Sequence, residues 1–183
     1  MRVVVAAAGR FHSLYLAHQL HKHELLHHFF SAGYTPSDRY LVPESLVSAN
    51  RMVHFADRVY MKLRLSRVMP PSAWYVIRDN WFDRWTARRL VQIPDFDLFV
   101  GWAHCSGESM QVARSKGAVV VIESGSMHIA AQERILQEAF EKIGLIAPVV
   151  TKENKEKMLE EYEKADYIAV PSEHVYQSFI KEG

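Results

Sequence analysis

The run Val119-Val-Val-Ile-Glu123-Ser-Gly-Ser-Met-His128-Ile puts a strand pattern, a carboxylate, a Ser/Gly turn and an imidazole in one short stretch. The β-branched residues read as a buried strand. Ser124, Gly125 and Ser126 supply turn and N-cap chemistry, and His128 falls in the first turn of the helix expected next. In an open α/β sheet, ligands bind at the carboxyl ends of parallel strands, against helix N-termini. Glu123 and His128 are therefore candidates for contact with a polar ligand. The plainer alternatives are a His128 that only caps its helix and a Glu123 that only satisfies backbone N–H groups.

A second polar loop follows Phe96-Asp-Leu-Phe-Val-Gly101 and holds His104, Cys105 and Ser106. His104 is a further candidate for a cleft wall. A thiol nucleophile built on Cys105 is disfavoured, because residues adjacent in sequence rarely share the geometry that activation needs. A third loop, Gly9-Arg10, follows the small apolar run Arg2 to Ala8. It has one glycine and not the G-x-G-x-x-G fingerprint of dinucleotide binding. His12, His18, His21, His23, His27 and His28 crowd the residues after it. Pairs such as His23 and His27 could ligate a metal on one continuous helix. A change to a strand near Leu25 separates them, so solvated surface histidines are the expectation.

These loops need elements to hold them. Strands are expected near residues 2–8, 25–31, 96–101, 118–122 and 167–170, with helices between. Alternating α and β with continuous apolar strands predicts an α/β fold: a Rossmann-like parallel sheet with helices on both faces. The residues Tyr34 to Ser48 read as a loop broken by Pro36 and Pro43. Ser72 is a candidate cap for a long aromatic and arginine-rich helix. Gly117 and Gly144 mark helix ends, and Pro148 blocks extension beyond the second of these. The residues 1–183 read as a single domain.

The formal net charge of +1 gives no overall case for nucleic acid. It conceals a basic middle, Arg51 to Arg89, and an acidic end, Lys152 to Glu182. The basic middle also carries Trp74, Tyr75, Trp81 and Trp85. It reads either as an ordinary core-facing helix with solvated arginines or as a surface for an anionic acceptor or anionic lipid headgroups. No RNA-binding motif accompanies it. The single cysteine suits a reducing, cytoplasmic compartment, and no apolar run is long enough to span a bilayer.

Taken together, the later motifs resemble those of the family 4 (group 1) retaining glycosyltransferases. Glu161-Tyr-Glu-Lys-Ala-Asp166-Tyr-Ile-Ala-Val-Pro171-Ser172 is similar to that family's acidic helix, Ala-Asp, short strand and Pro-Ser cap. Ser172 to Gly183 resembles the helix that follows. The Glu123 to His128 turn, with Gln132, Glu133 and Ile135 downstream, resembles the strand-turn-helix that bears a histidine. Phe96 to Trp102 also fits, and Gly9-Arg10-Phe11-His12 fits the first βα turn more loosely.

The resemblance covers about residues 95–183 and implies one half of a GT-B architecture. It implies a hexosyltransferase-type enzyme that moves a sugar from a nucleotide-diphosphate sugar to a carbohydrate or lipid-linked hydroxyl, with retention and without a metal. It assigns His128 to the cleft near the transferred sugar and Gly9 and Arg10 to the donor-phosphate loop. Glu123, Ser126 and His104 fall to the acceptor side. Many relatives carry a Gly-Gly pair where this chain has Gly9 alone. The donor-holding C-terminal domain is expected beyond Gly183, so the chain is expected to be an inactive half by itself, and a peripheral position on an anionic membrane is compatible with this reading. The alternatives are a standalone nucleotide- or glycolipid-binding module and a peripheral membrane adaptor.

Overall fold

A computed structural model of the protein describes residues 1–145 and 150–183. Six strands, β1 (Val3–Ala7), β2 (Leu26–Ser31), β3 (Val47–Ala49), β4 (Leu98–Trp102), β5 (Val119–Glu123) and β6 (Tyr167–Ala169), form one sheet in the order β3-β2-β1-β4-β5-β6. Every pairing is parallel. This is the strand order of the Rossmann fold, and its direction reverses between β1 and β4. Loops leaving those two strands diverge and open a crevice at the carboxyl edge.

The sheet forms because its central strands are apolar on both faces. All five residues of β1 are fully buried, as are Phe29, Phe30, Phe99, Val120 and Ile122 from its neighbours. Helix α1 (Ser13–Lys22) packs on β1 and β2, whereas α4 (Gly107–Ser115) packs on β4 and β5. Right-handed crossovers running in opposite directions along the sheet, β1 to β2 and β4 to β5, put these helices on opposite faces. Helices α2 (Arg51–Lys62) and α3 (Pro71–Leu90) carry the chain back from the β3 edge, and α3 lies along α4. Helices α5 (Ile129–Lys142), α6 (Lys152–Lys164) and α7 (Glu173–Glu182) complete the β5–β6 side.

Several local expectations change. The stretch 34–48, expected as loop, contains short 3₁₀ turns and the start of edge strand β3, which is too short to show a hydrophobic period. Helix α3 begins at Pro71, one residue before the expected cap Ser72, because proline at the first helical position loses only an N–H that has no partner there. His128 stands one step outside α5 as its N-cap, not inside its first turn. Gly117 and Gly144 take positive φ at their helix ends, as expected. Pro148 lies outside the described residues.

Candidate functional site

The β1, β4 and β5 loops meet at the carboxyl edge. His12 Nε2 lies 2.9 Å from Glu123 Oε1, across the switch point of the sheet. The His12 ring also packs on Trp102, with centroids 5.1 Å apart. The His12 side chain is 52% exposed and that of Glu123 only 16%. The pair is thus held by the fold from below and open to solvent from above. Phe11 adds an aromatic ring that is 55% exposed. Its backbone has φ +27°, outside the usual range for a bulky residue.

Two adjoining hollows open here, of about 400 Å³ and about 540 Å³. They share Phe11, His104, Ser126 and Met158 in their walls. The smaller is completed by His12, Trp102 and Glu123. The larger extends to Tyr75, Arg78 and Asp79 on α3 and to Gln132 and Asn154 on α5 and α6.

Buried carboxylates hold the loop after β4, whose His104 lines both hollows. Glu161 of α6 is 1% exposed and accepts from the backbone N–H of His104 (2.5 Å) and of Ser106 (2.9 Å). These bonds help hold His104 in a left-handed conformation, φ +67°. Burial nevertheless raises the Glu161 pKa to about 7, against the pull of those N–H groups and of Lys157. On α3, Asp83 accepts from the N–H groups of Glu108 and Ser109 and from the Ser109 hydroxyl, capping α4 from a neighbouring helix. One turn earlier, Asp79 accepts from Arg78 Nε at 2.7 Å. Its other oxygen sits 2.7 Å from His104 Nδ1, a close contact whose direction falls short of hydrogen-bond alignment. Burial works against the Arg78 cation, but Asp79 and Asp57 overcome it and raise its pKa.

The expected site residues separate into two groups. Glu123, Ser126 and His104 line the hollows together. His128 is 7% exposed, and its Nδ1 accepts from the Ala130 N–H at 3.3 Å. Its ring packs between Tyr162 and Phe179, and burial lowers its pKa, so the neutral ring serves as a cap. Gly9 follows β1 directly, but the Phe11 ring covers the side where a Cβ would stand. Arg10 forms a two-pronged pair with buried Asp38, at 2.6 and 3.1 Å. Arg10 is thus already paired within the protein. Cys105 is buried, and desolvation pushes its thiol well above the usual range, which removes it as a nucleophile.

The histidine cluster also resolves into separate roles. His18 Nδ1 bonds the Leu41 carbonyl oxygen at 2.7 Å, and His28 Nε2 bonds Ser48 Oγ at 2.9 Å. These two are therefore joints between elements and not merely solvated surface groups. The sequence motifs contain His12, Phe11, Trp102 and Glu161 without marking any of them as a site residue, and Asp79 stands in none of them. The signal present for His12 was its place just after a strand–glycine turn. Nothing in the sequence points Glu161 at the residue 103–106 loop.

No family model, curated protein or solved structure matches the chain.

Proposed function

We propose that this chain is the acceptor-side half of a retaining glycosyltransferase of the GT-B type. It would act with a donor-binding domain to move a sugar from a nucleotide-diphosphate sugar to a hydroxyl of a carbohydrate or lipid-linked acceptor. The sequence motifs carry the family reading. The observation that best supports it is the half-open His12–Glu123 pair beside the exposed Phe11 ring. A carboxylate and an imidazole can share the hydroxyls of a sugar, and an aromatic ring can cover its apolar face. The switch point of a parallel sheet is where such a ligand is expected.

The engagement of Arg10 by Asp38 is compatible with a donor diphosphate held mainly by the other domain. His128, as a neutral cap, would act here by setting the position of the Ser126 loop. The single buried cysteine is compatible with a cytoplasmic setting. Among the described residues no helix is long and apolar enough to cross a membrane.

The test is an NMR titration of the chain with a panel of mono- and disaccharides and, separately, with nucleoside diphosphates. The expected result is that a saccharide shifts resonances of the loops holding His12 and Glu123. Glu123→Gln should weaken that binding about tenfold, the worth of one charge-assisted hydrogen bond. No turnover of nucleotide-sugars is expected from the chain alone. Tight nucleoside diphosphate binding with no saccharide response would overturn the reading in favour of a nucleotide-binding module. Sugar transfer by the isolated chain would overturn the division of labour.

A further inference from the structure

Among the described residues, helix α2 is attached by one face and leaves the other exposed. Val53 and Tyr60 point inward, and Tyr60 stacks on Trp74 of α3 with centroids 5.0 Å apart. The opposite face presents Arg51, Phe55, Arg58 and Lys62, all exposed and spaced to form a single stripe. Met52 and Met61 flank it and are also exposed, and Phe55 is 68% exposed. Large apolar side chains set among cations on the outer face of a helix form an unusual surface for water to cover.

The charge on this face is one-sided. The sole acid of α2 is Asp57, and it is already engaged, accepting from Trp74 Nε1 at 2.9 Å and lying 3.6 Å from Arg78. The turn after the helix adds Leu63, Arg64, Arg67 and Val68, again cationic and apolar with no acid, and all exposed. A shallow hollow of about 1020 Å³ runs along the helix, walled by Phe55, Arg58, Met61 and Lys62. The far end of that hollow is Tyr34 and Thr35, which follow β2 at the carboxyl edge of the sheet.

We infer that the outer face of α2 is a docking surface for an anionic lipid bilayer. Phe55, Met52 and Met61 enter the boundary between headgroups and acyl chains. Arg51, Arg58 and Lys62 take the lipid phosphates. An interfacial helix needs this combination, an apolar strip to insert and cations to meet the surface potential, and neither part holds alone. The surface does not depend on the sugar-transfer reading. If that reading holds, the placement has a consequence. Helix α2 starts at the carboxyl end of β3, and Asp57 ties it to Arg78 on the cleft wall. A docked bilayer would therefore lie beside the cleft and could present a lipid-linked hydroxyl to it.

The experiment is co-sedimentation of the full chain with phosphatidylcholine vesicles, with and without phosphatidylglycerol. Binding is expected only to the anionic vesicles, and it should fall steeply between about 0.1 M and about 1 M salt as the screening length shortens from about 10 Å to about 3 Å. The double variant Arg58→Glu, Lys62→Glu should lower partitioning at least about tenfold. Phe55→Ser should lower it severalfold and leave the salt dependence in place. These side chains are exposed, so unchanged circular dichroism is expected for each variant. Arg88→Glu with Arg89→Glu, at the far end of α3, serves as the control. Equal binding to neutral vesicles would overturn the proposal, as would loss of binding in the control alone. Displacement of the chain from anionic vesicles by a single-stranded oligoribonucleotide would overturn it in favour of nucleic acid.

Discussion

The carboxyl edge of the sheet holds two sets of carboxylates with opposite fates. Glu161 and Asp83 are sealed from water and accept backbone N–H groups from the loop and helix that follow β4. Glu123 stands at the end of the next strand, accepts from one imidazole, and keeps a side open to a hollow. All are acids at the same edge of the same fold. The sealed group spends its lone pairs on the protein, so it determines shape. The open group retains lone pairs for a ligand. Solvent access and the number of internal donors, and not residue type, separate scaffold from site.

Removing a sealed acid should have the largest effect on stability. Glu161→Ala leaves the N–H groups of His104 and Ser106 without their acceptor in a buried setting. The expected loss is about 2–4 kcal/mol, read as a lower urea midpoint with an unchanged slope. Asp83→Ala removes the cap of α4 and should cost about 2 kcal/mol. Losses below about 0.5 kcal/mol for both would erase the contrast, because the sealed acids would then be no more structural than exposed ones.

The pH dependence sharpens the same contrast. The native Glu161 pKa is raised to about 7 from an ordinary 4.5, so the folded chain holds a proton that the unfolded chain has released. The stabilisation from that proton is complete below about pH 4.5 and is lost as pH rises through about 7. His28 runs the other way. Burial lowers its pKa to about 4 from 6.5, so its contribution is complete above about pH 6.5 and is lost as pH falls through about 4. Each can tilt the stability curve by at most about 1.4 kcal/mol per pH unit. Glu161→Gln should therefore remove a decline with rising pH, and His28→Gln should remove a rise. A Glu161→Gln curve parallel to the parent between about pH 5 and 7 would mean that Glu161 is ionised throughout.

What the sequence disclosed follows from the same distinction between local and distant partners. The central strands were legible because unbroken apolar runs such as Val3 to Ala7 require burial on both faces. The turn containing Glu123 and Ser126 was legible because strand, turn and cap residues are neighbours in the chain. Edge strand β3 was not, since three half-buried residues carry no period. The two buried acids of α3 were hidden for another reason. Asp79 and Asp83 sit one turn apart among arginines and aromatics, and a helix so rich in arginine carries the pattern of a solvated face. The helix instead buries the acids and turns Arg78 inward to meet one of them. Glu161 lies more than fifty residues from the loop it holds, and an acidic helix such as α6 reads as solvated from end to end. Among the candidate site residues, Glu123, Ser126 and His104 reach the cleft, while His128 and Arg10 are engaged by the protein itself.

The smallest expected stability change belongs to the open pair, and it is the most informative about function. His12 and Glu123 form a hydrogen-bonded pair whose imidazole is more than half exposed. Exposed pairs contribute about 0–1 kcal/mol, so His12→Ala and Glu123→Gln should melt within a few degrees of the parent. The same substitutions should sharply weaken saccharide binding, because they remove the groups that would share its hydroxyls. A scaffold residue cannot give that pattern, since its loss lowers stability and binding together. If His12→Ala destabilised the chain by as much as Glu161→Ala, the pair would be a second structural clasp across the switch point. The ligand site would then have to be sought in the larger hollow, against Arg78 and Asp79.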